Sequence, residues 1–114
     1  YSLAGHHPTY LWRPSTGKVL SFGYPSPQLG NDPSEATFEV HEEPLETGDI
    51  LLAFTDGLLE NTTTRLSVRT VMKLVAANAD KPAREIGDRV VELAWKGVGP
   101  EVPDDVTLLV TKLL

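Results

Sequence analysis

The clearest structural signal in this sequence lies at residues 46–60, which read ETGDILLAFTDGLLE. The polar, glycine-containing start predicts a turn, and the continuous apolar run from Ile50 to Phe54 is typical of a strand that is covered on both faces. Asp56 follows the end of this run, and Gly57 permits a close turn after it. We therefore predict a buried strand that places a carboxylate at its end.

Strand patterns also dominate the sequence before this run. Residues 9–13 and 18–22 are short apolar and aromatic segments, and the Pro-Ser-Thr-Gly sequence between them predicts a hairpin. Residues 23–35 are rich in glycine and proline and predict a loop. The alternation of Phe38 and Val40 within residues 36–40 predicts another strand.

Helical spacing replaces the strand pattern in the second half of the chain. It predicts one helix within residues 66–79, with Ser67 as its N-cap, and a second helix that has Pro82 in its first turn. Residues 106–114 are β-branched and leucine-rich, which predicts a closing strand. Strands, two helices and a last strand predict a single α+β domain over residues 1–114.

The composition excludes several classes of protein. The chain has 114 residues, and 10 Lys and Arg against 16 Asp and Glu give a formal charge of −6. This charge argues against binding to nucleic acid or to an anionic membrane. The absence of cysteine excludes disulfides and thiolate sites, so that a metal ion must be held by oxygen or imidazole.

The same composition predicts a cytoplasmic protein without membrane contact. No apolar run approaches the roughly 20 residues of a spanning helix, and the first residues have no signal-peptide pattern. The chain begins at Tyr1 without an initiator methionine. We therefore expect a piece of a longer protein or a processed product.

Asp56 and Glu60 form the first candidate site. If a helical turn begins after Asp56, the two carboxylates lie four residues apart on one face of it. Such an oxygen-rich pair suits Mg²⁺ or Mn²⁺. The alternative is that Asp56 caps the turn and Glu60 is solvated, and this motif alone favours the alternative because Asp-Gly is common after strands.

Asp104 and Asp105 form the second candidate, directly before the closing strand. Adjacent carboxylates repel each other unless a metal ion or bulk water neutralises them, and for the pair alone water is the commoner solution. Both acidic clusters, however, flank apolar strands that could share one sheet. This conjunction favours a metal site.

Two further features of the sequence allow more than one interpretation. His6 and His7 cannot point the same way on a strand, so that at most one is expected to face a site. Imidazole suits Mg²⁺ poorly although Mn²⁺ accepts it, and these residues alone favour a turn histidine without a ligand role. Arg65, Arg69 and Lys73 recur every four residues. They predict either a solvated helix face or, less commonly, a docking surface.

Three motifs in order resemble a known family: AGHHP at residues 4–8, ETGDILLAFTDGLLE at 46–60 and DDVTLLV at 104–110. Together they resemble the C-terminal half of the metal-dependent serine/threonine protein phosphatases, the PPM or type 2C family. The most similar branch is the bacterial one named for sporulation stage II protein E. The resemblance covers nearly the whole chain.

This resemblance implies part of a β-sandwich flanked by helices, with a two-metal Mn²⁺ or Mg²⁺ centre. Two cations about 3.5–4 Å apart activate a water that attacks the phosphorus of phosphoserine or phosphothreonine, without a phosphoenzyme. By motif match, the metal ligands are Asp56 and Asp104, and Glu60 helps to hold an additional metal. The implied neighbours of the site are His6, Gly57 and Asp105.

The sequence also departs from the family pattern. The family has an aspartate near the start of its domain that bridges both metals, and nothing here precedes Tyr1. The stretch after Glu60 lacks the usual longer, glycine-containing segment. We therefore expect a fragment with an incomplete metal site, inactive by itself, that exposes one sheet face or forms a homo-oligomer to cover it.

The implied substrate is a phosphorylated regulatory protein, for example an anti-sigma-factor antagonist, and the implied partner is an upstream sensor or receiver domain. One alternative is a catalytically inactive, phosphatase-like interaction module in a bacterial signalling protein. Another is an unrelated acidic α+β domain. Retention of Asp56 and Asp104 favours the enzyme, because a binding module has no need of them.

Overall fold

The computed structural model describes residues 1–30, 37–60, 66–96 and 105–114. Within these residues one antiparallel sheet is covered by helices on one face. Its strands and helices are β1 (Thr9–Arg13), β2 (Lys18–Phe22), β3 (Ile50–Phe54), α1 (Gly57–Glu60), α2 (Val68–Ala77), α3 (Ala83–Trp95) and β4 (Leu108–Lys112). The α+β architecture predicted from the sequence is confirmed.

The strand order is β2-β1-β3-β4, and each neighbouring pair is antiparallel. The β1–β2 hairpin has the predicted boundaries, with Thr9 opposite Phe22 and Arg13 opposite Lys18. Its turn is closed by the backbone N–H of Gly17, which donates to the carbonyl of Arg13 at 2.9 Å. Gly17 has a φ of +64°, a conformation that glycine adopts without steric cost.

The main core lies between the sheet and the helices. Alternate β3 residues Ile50, Leu52 and Phe54 point to this side and are at most 2% exposed. They pack in one cluster with the buried faces of α2 and α3, to which Val75 and Val90 belong. Each such side chain contributes roughly 1.5–3 kcal/mol through burial, so this cluster anchors β3 at the centre of the sheet.

The opposite face of the sheet is covered only in part. Leu11 on this face is fully buried, and Leu3 from the N-terminal segment is 9% exposed. Phe22 and Leu51 border a cavity of about 440 Å³ next to that segment. Leu109 on β4, by contrast, is 62% exposed. The expectation of an exposed sheet face therefore holds at the β4 side and fails at the β1 side.

The helix boundaries follow the sequence signals. The Ser67 side chain accepts a hydrogen bond from the N–H of Thr70 at 3.2 Å, as an N-cap does. Asn78 ends α2 and donates through its side chain to the carbonyl of Leu74 at 2.8 Å. Pro82 stands immediately before α3, one residue ahead of its predicted place in the first turn.

One predicted strand is wrong. Residues 37–40 form no strand, and Phe38 and Val40 are 40% and 77% exposed. This segment is attached through isolated hydrogen bonds instead: the Tyr24 hydroxyl donates to the carbonyl of Glu39 at 2.6 Å, and the N–H of His41 donates to the carbonyl of Tyr1 at 2.9 Å. Alternation of apolar residues indicates a strand only where a neighbouring strand is available for backbone hydrogen bonding. No described strand pairs with residues 37–40. The closing strand is also shorter than predicted, at Leu108–Lys112.

Candidate functional site

The strand order brings the predicted site motifs to one edge of the sheet. Because β1, β3 and β4 alternate in direction, the start of β1, the end of β3 and the start of β4 lie side by side. Phe54 pairs with Leu108, and the ring of His7 lies 4.7 Å from the ring of Phe54. We call this edge, with His6, His7, Asp56, Glu60 and Asp105, the carboxylate edge.

Thr55 ties the end of β3 to the segment that leads into β4. Its N–H donates to the carbonyl of Thr107 at 3.0 Å, and its Oγ1 accepts from the N–H of Thr107 at 2.9 Å. The same hydroxyl donates to the carbonyl of Asp105 at 3.2 Å. One side chain thus holds the backbones next to Asp56 and Asp105 together. No motif in the sequence singles out Thr55, whose only signal is a hydroxyl between an apolar strand and an aspartate.

A helical turn begins at Asp56, which is the condition under which the sequence places Asp56 and Glu60 on one face. The carbonyl of Asp56 accepts from the N–H groups of Leu59 at 2.8 Å and Glu60 at 3.0 Å. Leu58 is fully buried and anchors the turn in the core. The Asp56 carboxylate is exposed, and its Oδ1 accepts from the N–H of Gly57 at 3.0 Å. Asp56 therefore stands at the start of the turn, where its carbonyl accepts the helical hydrogen bonds, and its side chain stays open to solvent.

The other predicted carboxylates lie on the same edge or outside the described residues. Glu60 is the last residue of α1 and is exposed, one helical turn after Asp56. Asp105 is also exposed. Asp104, the second predicted metal ligand, lies outside the described residues.

The donor chemistry of this edge suits a hard cation, because carboxylate oxygens are the ligands that Mg²⁺ and Mn²⁺ prefer. The number of donors is insufficient, however. Within residues 1–30, 37–60, 66–96 and 105–114, no three His, Asp or Glu side chains come together in a metal-binding arrangement. The described residues therefore do not form a complete metal site by themselves.

The two histidines lie together in a way the sequence did not predict. Their rings stack, with centroids 4.8 Å apart and planes 23° apart. The expectation that neighbouring rings diverge is wrong here because β1 begins only at Thr9, so the alternation of a strand does not apply. His6 Nδ1 donates to the carbonyl of His7 at 2.6 Å, which leaves Nε2 of the neutral His6 ring as an acceptor.

A buried ion pair occupies the opposite edge of the sheet, and the sequence analysis did not find it. Arg13 Nη2 lies 2.8 Å from Asp49 Oδ2 and also donates to the carbonyl of Pro44 at 2.7 Å. Arg13 Nε donates to both Asp49 oxygens at 3.2 and 3.3 Å. The N–H of Glu46 donates to Asp49 Oδ2 at 2.9 Å. Asp49 is fully buried, so every contact to its carboxylate comes from the protein.

These contacts shift the pKa of both partners. Hydrogen bonds from Arg13 hold the pKa of Asp49 below its usual range, and the N–H of Glu46 acts in the same direction although burial opposes it. The pKa of Arg13 is raised, mainly by the hydrogen bond to Asp49. The pair is therefore ionised at neutral pH and serves to join the end of β1 to the start of β3.

Comparison with known proteins places this architecture in a family. The whole chain, residues 1–114, matches the model of the family described as stage II sporulation protein E (SpoIIE). The chain belongs to the SpoIIE family. None of the curated proteins resembles the sequence closely enough to count as a match.

Solved structures show the same fold. The PP2C phosphatase domain of the cell fate determinant SpoIIE from Bacillus subtilis, solved with a fragment of its regulatory domain, matches with a TM-score of 0.74 and 22% identity. That match covers 96% of this chain and 32% of the other. A structure of the RsbU and RsbW domains of Rv1364c from Mycobacterium tuberculosis matches with a TM-score of 0.68 and 29% identity, over 96% of this chain and 30% of that one.

A third match is the Bacillus subtilis SpoIIE phosphatase domain from a crystal presoaked with Mn, with a TM-score of 0.63 and 21% identity. It covers 98% of this chain and 49% of the other. The SpoIIE-family chain described here thus spans between about a third and a half of the solved structures it matches. In the described part of the chain, no helix has the length and apolar character needed to cross a membrane.

Proposed function

We propose that this chain is the C-terminal portion of a metal-dependent phosphatase domain that hydrolyses phosphoserine or phosphothreonine on a regulatory protein. The observation that carries the proposal is a bridge at one edge of the sheet, where the hydroxyl of Thr55, the residue before Asp56, hydrogen-bonds to the backbones of Asp105 and Thr107. Membership of the SpoIIE family and the PP2C-type fold support it. The proposed substrate is a phosphorylated anti-sigma-factor antagonist, and the proposed location is the cytoplasm.

Asp56 and Asp104 are the proposed ligands of Mn²⁺ or Mg²⁺, and Glu60 is the proposed ligand of an additional, weaker site. A bound pair of such cations supplies an activated water and neutralises phosphoryl oxygens. Because two or three carboxylates cannot enclose two cations, the remaining ligands come from parts of the protein outside the described residues. An upstream sensor or receiver domain is the proposed regulatory partner.

The chain's own residues have defined tasks in this proposal. The Asp56 carboxylate is oriented by the N–H of Gly57 and remains exposed, so it is available to a cation. Thr55, the residue before Asp56, holds the Asp105 backbone by donating a hydrogen bond to its carbonyl. His6 lies next to the site with Nδ1 committed to a carbonyl, so that its Nε2 is the atom able to accept a proton or a hydrogen bond.

The second candidate function is a phosphatase-like interaction module without catalysis. One observation favours it: the described residues bring no three metal-binding side chains together. The two functions differ in whether a bound cation leads to hydrolysis.

The experiment that tests the proposal is Mn²⁺-dependent hydrolysis of a phosphoserine protein by the intact protein. Asp56→Asn is compared with Asp80→Asn, a matched change in the turn between α2 and α3. Lys112 at the opposite edge of the sheet donates to the carbonyl groups on either side of Asp80, at 2.7 and 3.0 Å. We expect activity in the parent and in Asp80→Asn, and loss in Asp56→Asn.

Two results would contradict the proposal. Equal activity in Asp56→Asn and the parent would remove Asp56 from the metal site. Binding of Mn²⁺ by the intact parent protein, measured by calorimetry, without any turnover of phosphoserine or phosphothreonine would favour the interaction module.

A further inference from the structure

An apolar groove lies between the β1–β2 hairpin and α2, apart from the carboxylate edge. We call it the hairpin groove; its volume is about 500 Å³. Its apolar lining comes chiefly from Tyr10, Trp12, Val19 and Met72, and it is bordered by Arg69 and Lys73. Among the described residues β2 is an edge strand of the sheet and Val19 is 45% exposed, so the groove is open on this side.

The charge around this groove is opposite to the charge of the chain. The chain carries a net charge of −6, yet neither residues 1–30 nor residues 66–79 contain a single Asp or Glu. These two segments supply all of the elements that line the groove. Arg69 and Lys73 are both exposed, and no described residue forms an ion pair with either of them. The groove is thus an apolar surface with a local excess of positive charge.

We propose that the hairpin groove binds an acidic amphipathic peptide segment of a partner protein. Apolar side chains of that segment fill the space over Trp12 and Met72, and its carboxylates pair with Arg69 and Lys73. The two cations are four residues apart on α2, so they lie on one side of the helix at adjacent turns. This spacing matches carboxylates one turn apart on a bound helix.

The shape and charge favour a peptide over the other anionic partners. An anionic membrane or a nucleic acid requires a broad field of cations, whereas this groove offers two in a chain that is acidic as a whole. A concave apolar floor with charges at its border is the arrangement that peptide-binding grooves use. The flexible thioether of Met72 lets the floor adapt to the inserted side chain.

The test uses a fluorescein-labelled helical peptide with Leu at positions i, i+3, i+4 and i+7 and Glu beside them, and a second peptide with Lys in place of Glu. Fluorescence anisotropy measures binding to the intact protein. We expect the Glu peptide to bind with a dissociation constant in the micromolar range and the Lys peptide to bind at least about tenfold more weakly. Binding of both peptides with equal affinity would overturn the charge argument.

Variants locate the site. Arg69→Glu should weaken binding of the Glu peptide by about fivefold to tenfold. Arg84→Glu, the same change at an exposed position on α3, should leave the binding affinity unchanged. Ala76→Phe places a ring at the groove without a change of charge and should abolish binding. Circular dichroism confirms that each variant is folded, and Lys73→Glu, at the second cation of the groove, replaces any variant that is not.

Three outcomes overturn the proposal. The first is the absence of binding of the Glu peptide at millimolar concentration. The second is sedimentation with phosphatidylserine vesicles that depends on Arg69, without peptide binding, which would indicate a membrane surface. The third is a dimer of the parent that Ala76→Phe converts to a monomer, without peptide binding, which would indicate that a second copy covers the groove.

Discussion

The two edges of the sheet hold aspartates in opposite environments. Asp49 is fully buried at one edge and receives four hydrogen bonds from Arg13 and Glu46. Asp56 at the other edge is exposed, and its carboxylate accepts a hydrogen bond from the neighbouring N–H of Gly57. The same residue type therefore acts as an internal anchor where it is enclosed, and it is open to solvent at the position where we propose a metal ligand.

This difference indicates how the fold separates stability from chemistry. A buried carboxylate with all its hydrogen-bonding capacity used cannot bind a cation without unfolding its surroundings. An exposed carboxylate on a rigid strand end contributes little to stability and is free to bind. Each edge can therefore be changed with little effect on the task of the other, and the predictions below test this separation.

The largest expected effect is on activity at the carboxylate edge. In the intact protein, Asp56→Asn should lower Mn²⁺-dependent phosphatase activity by at least about 100-fold, because an amide is a far weaker cation ligand than a carboxylate. The same variant should lose less than about 0.5 kcal/mol of unfolding free energy, since the side chain is exposed. Steady-state kinetics and urea unfolding measure the two effects; a large loss of stability would break the comparison.

At the opposite edge the effect should fall on stability. Asp49→Ala leaves Arg13 buried without its partner and should lower the free energy of unfolding by about 3 kcal/mol. The double variant Arg13→Met with Asp49→Leu removes both charges and should recover part of this loss. Urea denaturation of the parent and both variants measures the difference. A loss below about 1 kcal/mol for Asp49→Ala would show that the pair is not an anchor.

The hydroxyl of Thr55 offers a smaller effect. Thr55→Val keeps the shape of the side chain and removes two hydrogen bonds, so we expect a loss of about 1–2 kcal/mol in unfolding free energy. Thr111→Val, an exposed change on β4, is the matched control and should be neutral within about 0.5 kcal/mol. Equal effects in the two variants would contradict the role of Thr55 as the link between the strands.

The change of stability with pH should depend on Asp49 at one edge of the sheet and not on Asp56 at the other. Because the pKa of Asp49 is lower in the folded protein than its usual value of about 3.9, its contribution is fully present above that value and is lost as the pH falls through the lower folded pKa. In Asp49→Asn the free energy of unfolding should therefore fall less steeply with decreasing pH below about pH 4 than it does in the parent. Asp56→Asn is the control and should keep the parent's slope. Thermal melting between about pH 2 and pH 6 measures both slopes.

Local signals predicted most of the secondary structure. The apolar run before Asp56, the Pro-Ser-Thr-Gly turn of the hairpin and the Ser67 cap each depend on neighbours within a few residues, and each is confirmed. The helical turn after Asp56, which the sequence left as a condition, is present. The strand predicted at residues 36–40 is wrong because alternation carries no information about whether a partner strand is present.

These local signals do not predict contacts between residues that are far apart in the sequence. Arg13 and Asp49 are 36 residues apart in the chain, and the N–H of Thr107 meets Thr55 across 52 residues. In the sequence Asp49 is one polar residue in a turn, indistinguishable from a solvated one. Its burial follows only from the pairing of β1 with β3, which brings the arginine to it.

The amino-acid sequence was sufficient to predict the elements of this domain, the carboxylate at the end of β3 and the family resemblance, since each depends on residue types at short spacing. The tertiary structure alone decided which of those elements share an edge. The order β2-β1-β3-β4 brings Thr55 to the backbone of Asp105 and opens a groove under α2. Strand order depends on how apolar faces pack across the whole chain, and no local pattern contains that information.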